Sequence, residues 1–113
     1  MKFDILNRFT GKVIFTCDIE CGEDELPSIQ LGLAVKCAVE NHANLSYADL
    51  RYADLRSADL RSSDLRSVDL RSSDLHSADL RHANLSYADL RYANLNHADL
   101  HFANLSYANL SPK

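Results

Sequence analysis

Glycine and proline are absent from the longest part of this chain. None of the three glycines and two prolines of the 113-residue sequence lies between Asn41 and Ser111. A type II turn favours Gly or Asn at its third position, because that residue needs a positive φ. Where this segment turns, the residues available are mostly Ser, Tyr and His. We therefore predict type I or irregular turns here.

Long hydrophobic runs and cysteines are also scarce. No segment stays apolar over the roughly 20 residues of a membrane-spanning helix, and residues 1–6 lack the hydrophobic region of a signal peptide. Cys17, Cys21 and Cys37 are odd in number, which we interpret as free thiols in a reducing cytoplasm. No second ligand pair accompanies Cys17 and Cys21, so a zinc site is disfavoured. We expect a cytoplasmic protein without membrane contact.

An excess of one charge sign is lacking in the larger part of the chain. The net charge is −4, of which residues 1–40, with four basic and seven acidic residues, hold −3. Residues 41–113 carry eight basic and nine acidic residues. A nucleic-acid-binding protein needs a basic field and a mimic of DNA needs an acidic one. Near-neutrality disfavours both, so we expect no direct nucleic-acid contact.

Motifs of catalysis are missing as well. The sequence has no glycine-rich phosphate loop, no nucleophile elbow and no Cys/His set at ligand spacing. We predict that the protein is not an enzyme and has no catalytic residue, cofactor or metal. One alternative stays open, since His97 and His101 are four residues apart and His82 could approach His101. Two histidines can hold an adventitious metal ion, although solvated side chains are the favoured interpretation.

The dominant feature that is present is a leucine at every fifth position. It occurs fourteen times from Leu45 to Leu110, in units that read Ala-(Asp/Asn)-Leu-x-x. Five residues turn a helix by about 500°, so the leucines form no stripe, and an odd spacing alternates between the faces of a strand. A short extended stretch followed by a corner keeps every Leu and Ala inside. Four such units close a coil of about twenty residues, and coils stack about 4.8 Å apart.

These units resemble the pentapeptide repeat proteins over residues 43–111. The resemblance implies a mainly β fold, a right-handed quadrilateral β-helix with the central Leu and the residue two before it inside. Handedness rests on the resemblance alone. Ser63, Val68 and Ser73 replace Ala at inward positions. A buried serine hydroxyl can bond to nearby backbone, so these replacements should be tolerated.

The first 41 residues are not repeats. Two apolar stretches, around Phe3 and residues 13–15, predict a β-hairpin. Pro27 predicts the start of a helix that ends at Asn41. We predict a hairpin and capping helix at 1–41, followed by a β-helix of about three and a half coils at 42–113. In an alternative interpretation, the acidic loop with Cys21 binds a partner.

Outward positions should stack into columns, with aspartates beside arginines that neutralise them. Tyr and Arg dominate binding hot spots, so this surface is also the candidate interaction face. Its residues are Tyr47, Arg51, Tyr52, Arg71, Tyr87, Arg91 and Tyr92. The last coil has no helix after it in the sequence, and apolar edges favour self-association. The candidate homodimer end consists of Leu100, Phe102, Leu105, Tyr107 and Leu110.

Three functional hypotheses follow. We favour a non-catalytic protein-interaction or scaffold module with an unknown protein partner. The resemblance suggests an alternative, a DNA-mimicking inhibitor or protector of a type II topoisomerase such as gyrase. Near-neutral repeats and a short solenoid disfavour it, because a neutral surface cannot compete with DNA as a polyanion would. The third hypothesis is a stable rod without a specific partner, which the near-identical segments 42–55 and 82–95 would fit.

Overall fold

The computed structural model describes residues 1–110, so the last three residues of the predicted solenoid, 111–113, lie outside the described residues. Strand β1 (Lys2–Leu6) pairs antiparallel with β2 (Val13–Asp18), with Phe3 opposite Cys17. Helix α1 (Pro27–Glu40) begins at the proline, as predicted, because a helix needs no N–H there. Within residues 1–110, no helix is long and apolar enough to cross a membrane.

From Asn44 onward the chain forms stacked coils with a register of twenty residues. Parallel backbone bridges join Asp49 to Asp69 and Asp69 to Asp89, and the same offset recurs along the repeats. The amide of Leu50 donates to the carbonyl of Asp69 at 2.8 Å, and the amide of Asp69 donates to Ala48 at 2.9 Å. Each coil therefore contains four five-residue units. We call the units that lie twenty residues apart one face of the solenoid.

The core is a stack of leucines with alanines beside them. Every repeat leucine from Leu45 to Leu90 is at most 2% exposed. Two inward serines occupy alanine positions, and the hydroxyls of Ser63 and Ser73 donate to the carbonyls of Leu60 (2.6 Å) and Leu70 (2.7 Å). These hydrogen bonds explain why serine can be buried at these positions, as predicted.

The predicted type I or irregular corners are wrong. The last residue of each unit has φ between 55° and 67°, although none of these residues is glycine. Within a corner, the Ala48 amide donates to the Leu45 carbonyl at 3.1 Å, and Tyr47 has φ 67°. A hydrogen-bonded four-residue turn with positive φ at its third residue is type II. Each such residue costs about 1–2 kcal/mol, which the ladder hydrogen bond from its own amide helps to offset.

Residues of the N-terminal segment contact the first coil directly. The Asp49 amide donates to the Leu6 carbonyl at 2.8 Å, and the Asp54 amide donates to the Ser28 carbonyl at 3.0 Å. Helix α1 approaches so closely that a Cβ on Gly32 would lie 2.0 Å from the Asp54 carbonyl oxygen. Glycine is required at this contact because no side chain fits between the two backbones.

The expectation of three free thiols is wrong for two of them. Cys17 of β2 and Cys37 of α1 form a disulfide with their Cα atoms 6.3 Å apart, and Cys21 is free. The two residues are twenty positions apart and on different elements, so the sequence alone gives no pairing. The disulfide ties the hairpin to the helix that lies against the first coil.

Removal of this disulfide should destabilise the protein. In the chain-entropy account, a cross-link that closes a loop of this length contributes about 3 kcal/mol. We expect Cys17→Ser with Cys37→Ser to lower the free energy of unfolding by about that amount, measured by urea denaturation. Cys21→Ser, which leaves the disulfide in place, is the matched control. Equal stability of the double variant and this control would contradict the prediction.

Candidate functional site

The candidate site is one face of the solenoid with the corners on its two sides. Its units are centred on Leu50, Leu70 and Leu90, and we call it the Tyr/Arg face. It contains the seven residues that the sequence predicts for interaction, namely Tyr47, Arg51, Tyr52, Arg71, Tyr87, Arg91 and Tyr92. The structure brings all of them to this side, because residues twenty apart stack.

The residue before each leucine closes the corner that follows it. Its side-chain oxygen accepts the backbone N–H of the residue two positions on, as Asp69 Oδ1 does from Arg71 at 3.2 Å. Asn44 Oδ1 accepts from Ser46 in the same way at 2.9 Å. Aspartate and asparagine offer the same acceptor here, which explains why the repeat uses both.

Arginines hold the aspartates in two-pronged ion pairs. Arg71 Nε lies 2.9 Å from Asp69 Oδ1, and its Nη2 lies 2.7 Å from Asp69 Oδ2. The same Nε lies 3.6 Å from Asp89 Oδ2 in the next coil, so Arg71 bridges two members of the aspartate column. Four other arginines, Arg51, Arg56, Arg61 and Arg81, do the same. The predicted neutralisation of the aspartate columns is therefore seen in the geometry. Planar guanidinium–carboxylate contacts of this kind also fix the arginine side chains.

This pairing follows a regularity in the sequence that the leucine period does not reveal. All nine aspartates of the repeats are followed two positions later by Arg or His, whereas the five asparagines that stand before a repeat leucine are followed by Ser or Asn. A charged acceptor therefore always comes with a basic neighbour, and a neutral acceptor does not. Charge is therefore balanced inside the seven units that pair Asp with Arg, whereas the units of Asp74 and Asp99 have a histidine at that position.

The ion pairs lower the pKa of the aspartates. Burial acts to raise the pKa of Asp69, but hydrogen bonds from Arg71 outweigh it and hold that pKa below its ordinary value. At the more exposed Asp79, hydrogen bonds from Arg81 lower the pKa to about 2. Pairing with the residue two positions on also lowers the pKa of Asp54, Asp59, Asp64, Asp89 and Asp99.

Arg8 and Phe9 join the Tyr/Arg face from outside the repeats, which the sequence did not reveal. Arg8 Nη2 lies 3.8 Å from Asp69 Oδ2 and 3.9 Å from Asp89 Oδ2. The Arg8 amide donates to the Tyr47 carbonyl at 2.7 Å. The Phe9 ring lies 6.2 Å from the Tyr47 ring. The hairpin loop therefore covers part of this face and adds a cation and an aromatic ring to it.

The tyrosines differ in how free they are. Tyr52 and Tyr92 are 67% and 72% exposed and make no ring contact among the described residues, whereas Tyr87 stacks on Tyr107 with ring centres 5.0 Å apart. Ser72 occupies the corner between Tyr52 and Tyr92. Two aromatic rings thus project on either side of a small residue.

Three of the five histidines contact another aromatic ring, and His101 Nδ1 lies 2.5 Å from Asp99 Oδ1. His76 lies edge-on to His97 at 5.4 Å, and His82 stacks on Phe102 at 5.0 Å. Among residues 1–110, no three His, Cys, Asp or Glu side chains are grouped so that they could hold a metal ion.

The last coil is the most exposed part of the core. Leu100 and Leu105 are only partly buried, Phe102 and Tyr107 are about 80% exposed, and Leu110 is 48% exposed. In the part of the chain that the structure describes, the amides of Leu100 and Leu105 have no ladder acceptor. The five residues of the candidate dimer end therefore do lie together at one end of the solenoid.

Comparison with known proteins assigns the family. Residues 41–76 and 78–111 match the family of pentapeptide repeats, in eight copies. The chain belongs to the pentapeptide repeat family, whose members form β-helices. No curated protein matches the chain.

Solved structures of the family resemble this one. A pentapeptide repeat protein from the cyanobacterium Cyanothece 51142 is 28% identical, with a TM-score of 0.53 over 63% of this chain and 52% of its own. One from the thylakoid lumen of Arabidopsis thaliana is 34% identical, with a TM-score of 0.41 over 60% and 43%. One from Nostoc Pcc 7120 is 33% identical, with a TM-score of 0.39 over 76% and 79%. The chain thus spans about half of the Cyanothece protein.

Acid should weaken the fold through the paired aspartates. The pKa of Asp79 falls from 3.8 to about 2, so its contribution is present above about pH 4 and is lost as the pH falls towards 2. In Asp79→Asn the acceptor for the backbone remains but the charge is gone. We expect the thermal midpoint of this variant to fall less steeply than that of the wild type between pH 4 and 2, by circular dichroism. Parallel curves would contradict this.

Proposed function

We propose that this protein is a non-catalytic protein-interaction module of the pentapeptide repeat family, and that the Tyr/Arg face binds a protein partner. The observation that carries the proposal is the fixed display of side chains on that face. Arg51, Arg71 and Arg91 are each held by two hydrogen bonds to an aspartate. Side chains that are ordered before binding lose little entropy when a partner arrives.

The exposed tyrosines would supply the apolar contacts. Tyr52 and Tyr92 project on either side of Ser72, and Phe9 adds a ring that is 72% exposed. Tyrosine combines a large apolar surface with a polar hydroxyl and has few rotatable bonds, so it is enriched in binding hot spots. A protein surface with an apolar side chain that packs between the two tyrosine rings fits this arrangement best.

Local charge balance argues against the topoisomerase alternative. A DNA mimic must present unpaired negative charge along its length, whereas here each arginine neutralises the aspartate two positions before it. Attraction to a basic DNA-binding channel would therefore be weak. The leucine core is filled, and residues 1–110 bring together no set of converging reactive groups, which likewise supports a protein that is not an enzyme.

Three further parts of the proposal concern assembly and location. For the described part of the predicted solenoid, residues 42–110, we propose a right-handed quadrilateral β-helix, with a cap formed by residues 1–41. A homodimer through the last coil would cover Phe102, Tyr107 and Leu110, because a two-fold contact closes an apolar edge. A cytoplasmic location stays a prediction, and the disulfide between Cys17 and Cys37 removes the free-thiol argument for it.

Partner capture with matched variants tests the proposal. Tyr52→Ser with Tyr92→Ser replaces both rings by the residue that the chain itself has at position 72, where φ is 59°. Loss of two hot-spot residues should lower the captured amount of a specific partner about tenfold or more. His82→Ser, a corner change on another face, is the control and should leave capture unchanged. Quantitative mass spectrometry measures the captured proteins.

Three outcomes would overturn the proposal. Capture that is equal for the wild type and the double tyrosine variant would show that this face is not the binding surface. Capture of nothing by the wild type would favour a rod without a specific partner. Inhibition of DNA supercoiling by purified gyrase, unaffected by the tyrosine changes, would instead support the topoisomerase alternative.

A further inference from the structure

A groove of about 590 Å³ lies between the C-terminal half of α1 and the first coil. Its helix side presents Lys36, Val39 and Glu40, and its coil side presents Asp59, Arg61 and Ser62. This volume is within the range of about 300–1,000 Å³ that is usual for ligand pockets. The groove is on a different face from the tyrosines.

The coil side of the groove is an unpaired strand edge. In later coils of the same face, the Asp79 amide donates to Ala58 and the Asp99 amide donates to Ala78, both at 2.9 Å. The equivalent amide of Asp59 has no acceptor among residues 1–110. The carbonyls of Asp59 and Arg61 likewise receive no hydrogen bond from the described residues, although their counterparts in the next coil do. The Asp59 amide and the carbonyls of Asp59 and Arg61 are therefore unpaired in the described part of the chain, and they are spaced as the groups that pair between coils are.

The edges on two other faces of the first coil are already occupied. The Asp49 amide is bonded to the Leu6 carbonyl of the hairpin, and the Asp54 amide to the Ser28 carbonyl at the start of α1. Helix α1 then passes over the coil and leaves the groove open beside residues 59–61. Backbone groups in such an edge are ready to pair with another extended chain.

The charges along the groove select the segment that fits. Lys36 is half-buried and makes no ion pair within 4 Å with a carboxylate of residues 1–110, although its charge acts on Asp54 at longer range. Arg61 already forms an ion pair with Asp59 at 2.7 Å, so it is less available than Lys36 to bind a carboxylate of a partner. Glu40 also lines the groove and disfavours an additional carboxylate next to it. On the same helix side, Val39 offers an apolar contact beside the charged groups of Lys36 and Glu40.

We propose that this groove binds an extended peptide segment of a partner protein that carries a carboxylate opposite Lys36. The segment would add as a short parallel strand beside residues 59–61. Its first residue would accept from the Asp59 amide, and its third and fifth residues would donate to the carbonyls of Asp59 and Arg61. Strand addition of this kind draws its affinity from backbone bonds and its specificity from the side chains. The site is separate from the Tyr/Arg face, so its failure would leave the function proposed above untouched.

The test uses random linear peptides displayed on phage and selected on the folded full chain. We expect enriched sequences to carry Asp or Glu, and a synthetic peptide from them to shift the NMR amide signal of Asp59. Lys36→Gln should weaken this peptide about fivefold, as loss of one partly exposed ion pair does. Lys12→Gln, the same change of charge in the hairpin loop, should leave the affinity as it is. Melting temperatures of both variants verify that they fold.

Three results would overturn the proposal. The first is no enrichment of any sequence above bare resin. The second is a selected peptide that shifts amide signals at Tyr52 and Tyr92 and not at Asp59. The third is an equal affinity of the peptide for the wild type and for a folded Lys36→Gln variant.

Discussion

Backbone pairing between successive coils is the constraint from which the rest of the structure follows. In the unit around Leu70, the amides of Asp69, Leu70 and Ser72 donate to neighbouring coils. The Ser73 amide closes the corner on the Leu70 carbonyl, and the Arg71 amide donates to Asp69 Oδ1. The five consecutive amides from Asp69 to Ser73 are thus all satisfied, as buried backbone requires. The five-residue sequence period reflects this repeated pattern of backbone hydrogen bonds. The pattern turns the Leu and Ala side chains inward.

The sequence predicted those parts of the fold that depend on local periodicity. The leucine spacing predicted the inward positions, and together with a corner after each unit it predicted the twenty-residue register; both appear in the structure. The corners were predicted wrongly because residue preference at an isolated turn favours Gly at positive φ. In the stack, the corner residues from Tyr47 to Tyr87 gain a ladder bond that an isolated turn lacks, as Ser72 does to Arg91 at 3.0 Å. Tertiary pairing therefore outweighs the local preference.

The periodicity of the sequence could not predict contacts between distant parts of the chain. The Cys17–Cys37 disulfide and the approach of Arg8 to Asp69 and Asp89 depend on how the hairpin folds back. Nothing in the spacing of these residues indicates that they meet. The Tyr/Arg face was predictable, since its members share a column, but its extension by Phe9 was not. The rule that Asp precedes Arg or His was visible in the sequence throughout, and only the ion pairs showed its purpose.

Local pairing of charge also shapes what the surface can do. A solenoid of stacked identical positions would place like charges about 5 Å apart along each column, and the repulsion would oppose stacking. A basic residue in the same unit removes this repulsion and, as a consequence, removes any long-range acidic field. What remains for recognition is shape, aromatic surface and hydrogen bonding. These properties suit a binding surface for proteins better than a substitute for nucleic acid.

Cysteine cross-linking across coils tests the twenty-residue register most directly. Ser57 and Ser77 are exposed corner residues twenty positions apart, and stacked strands place such Cα atoms about 5 Å apart, within disulfide range. In a Cys21→Ser background, Ser57→Cys with Ser77→Cys should form a disulfide on mild oxidation, detected by mass spectrometry. Ser57→Cys with Ser72→Cys, fifteen positions apart, should not. A bond in the second pair, or none in the first, would contradict the stacked-coil account.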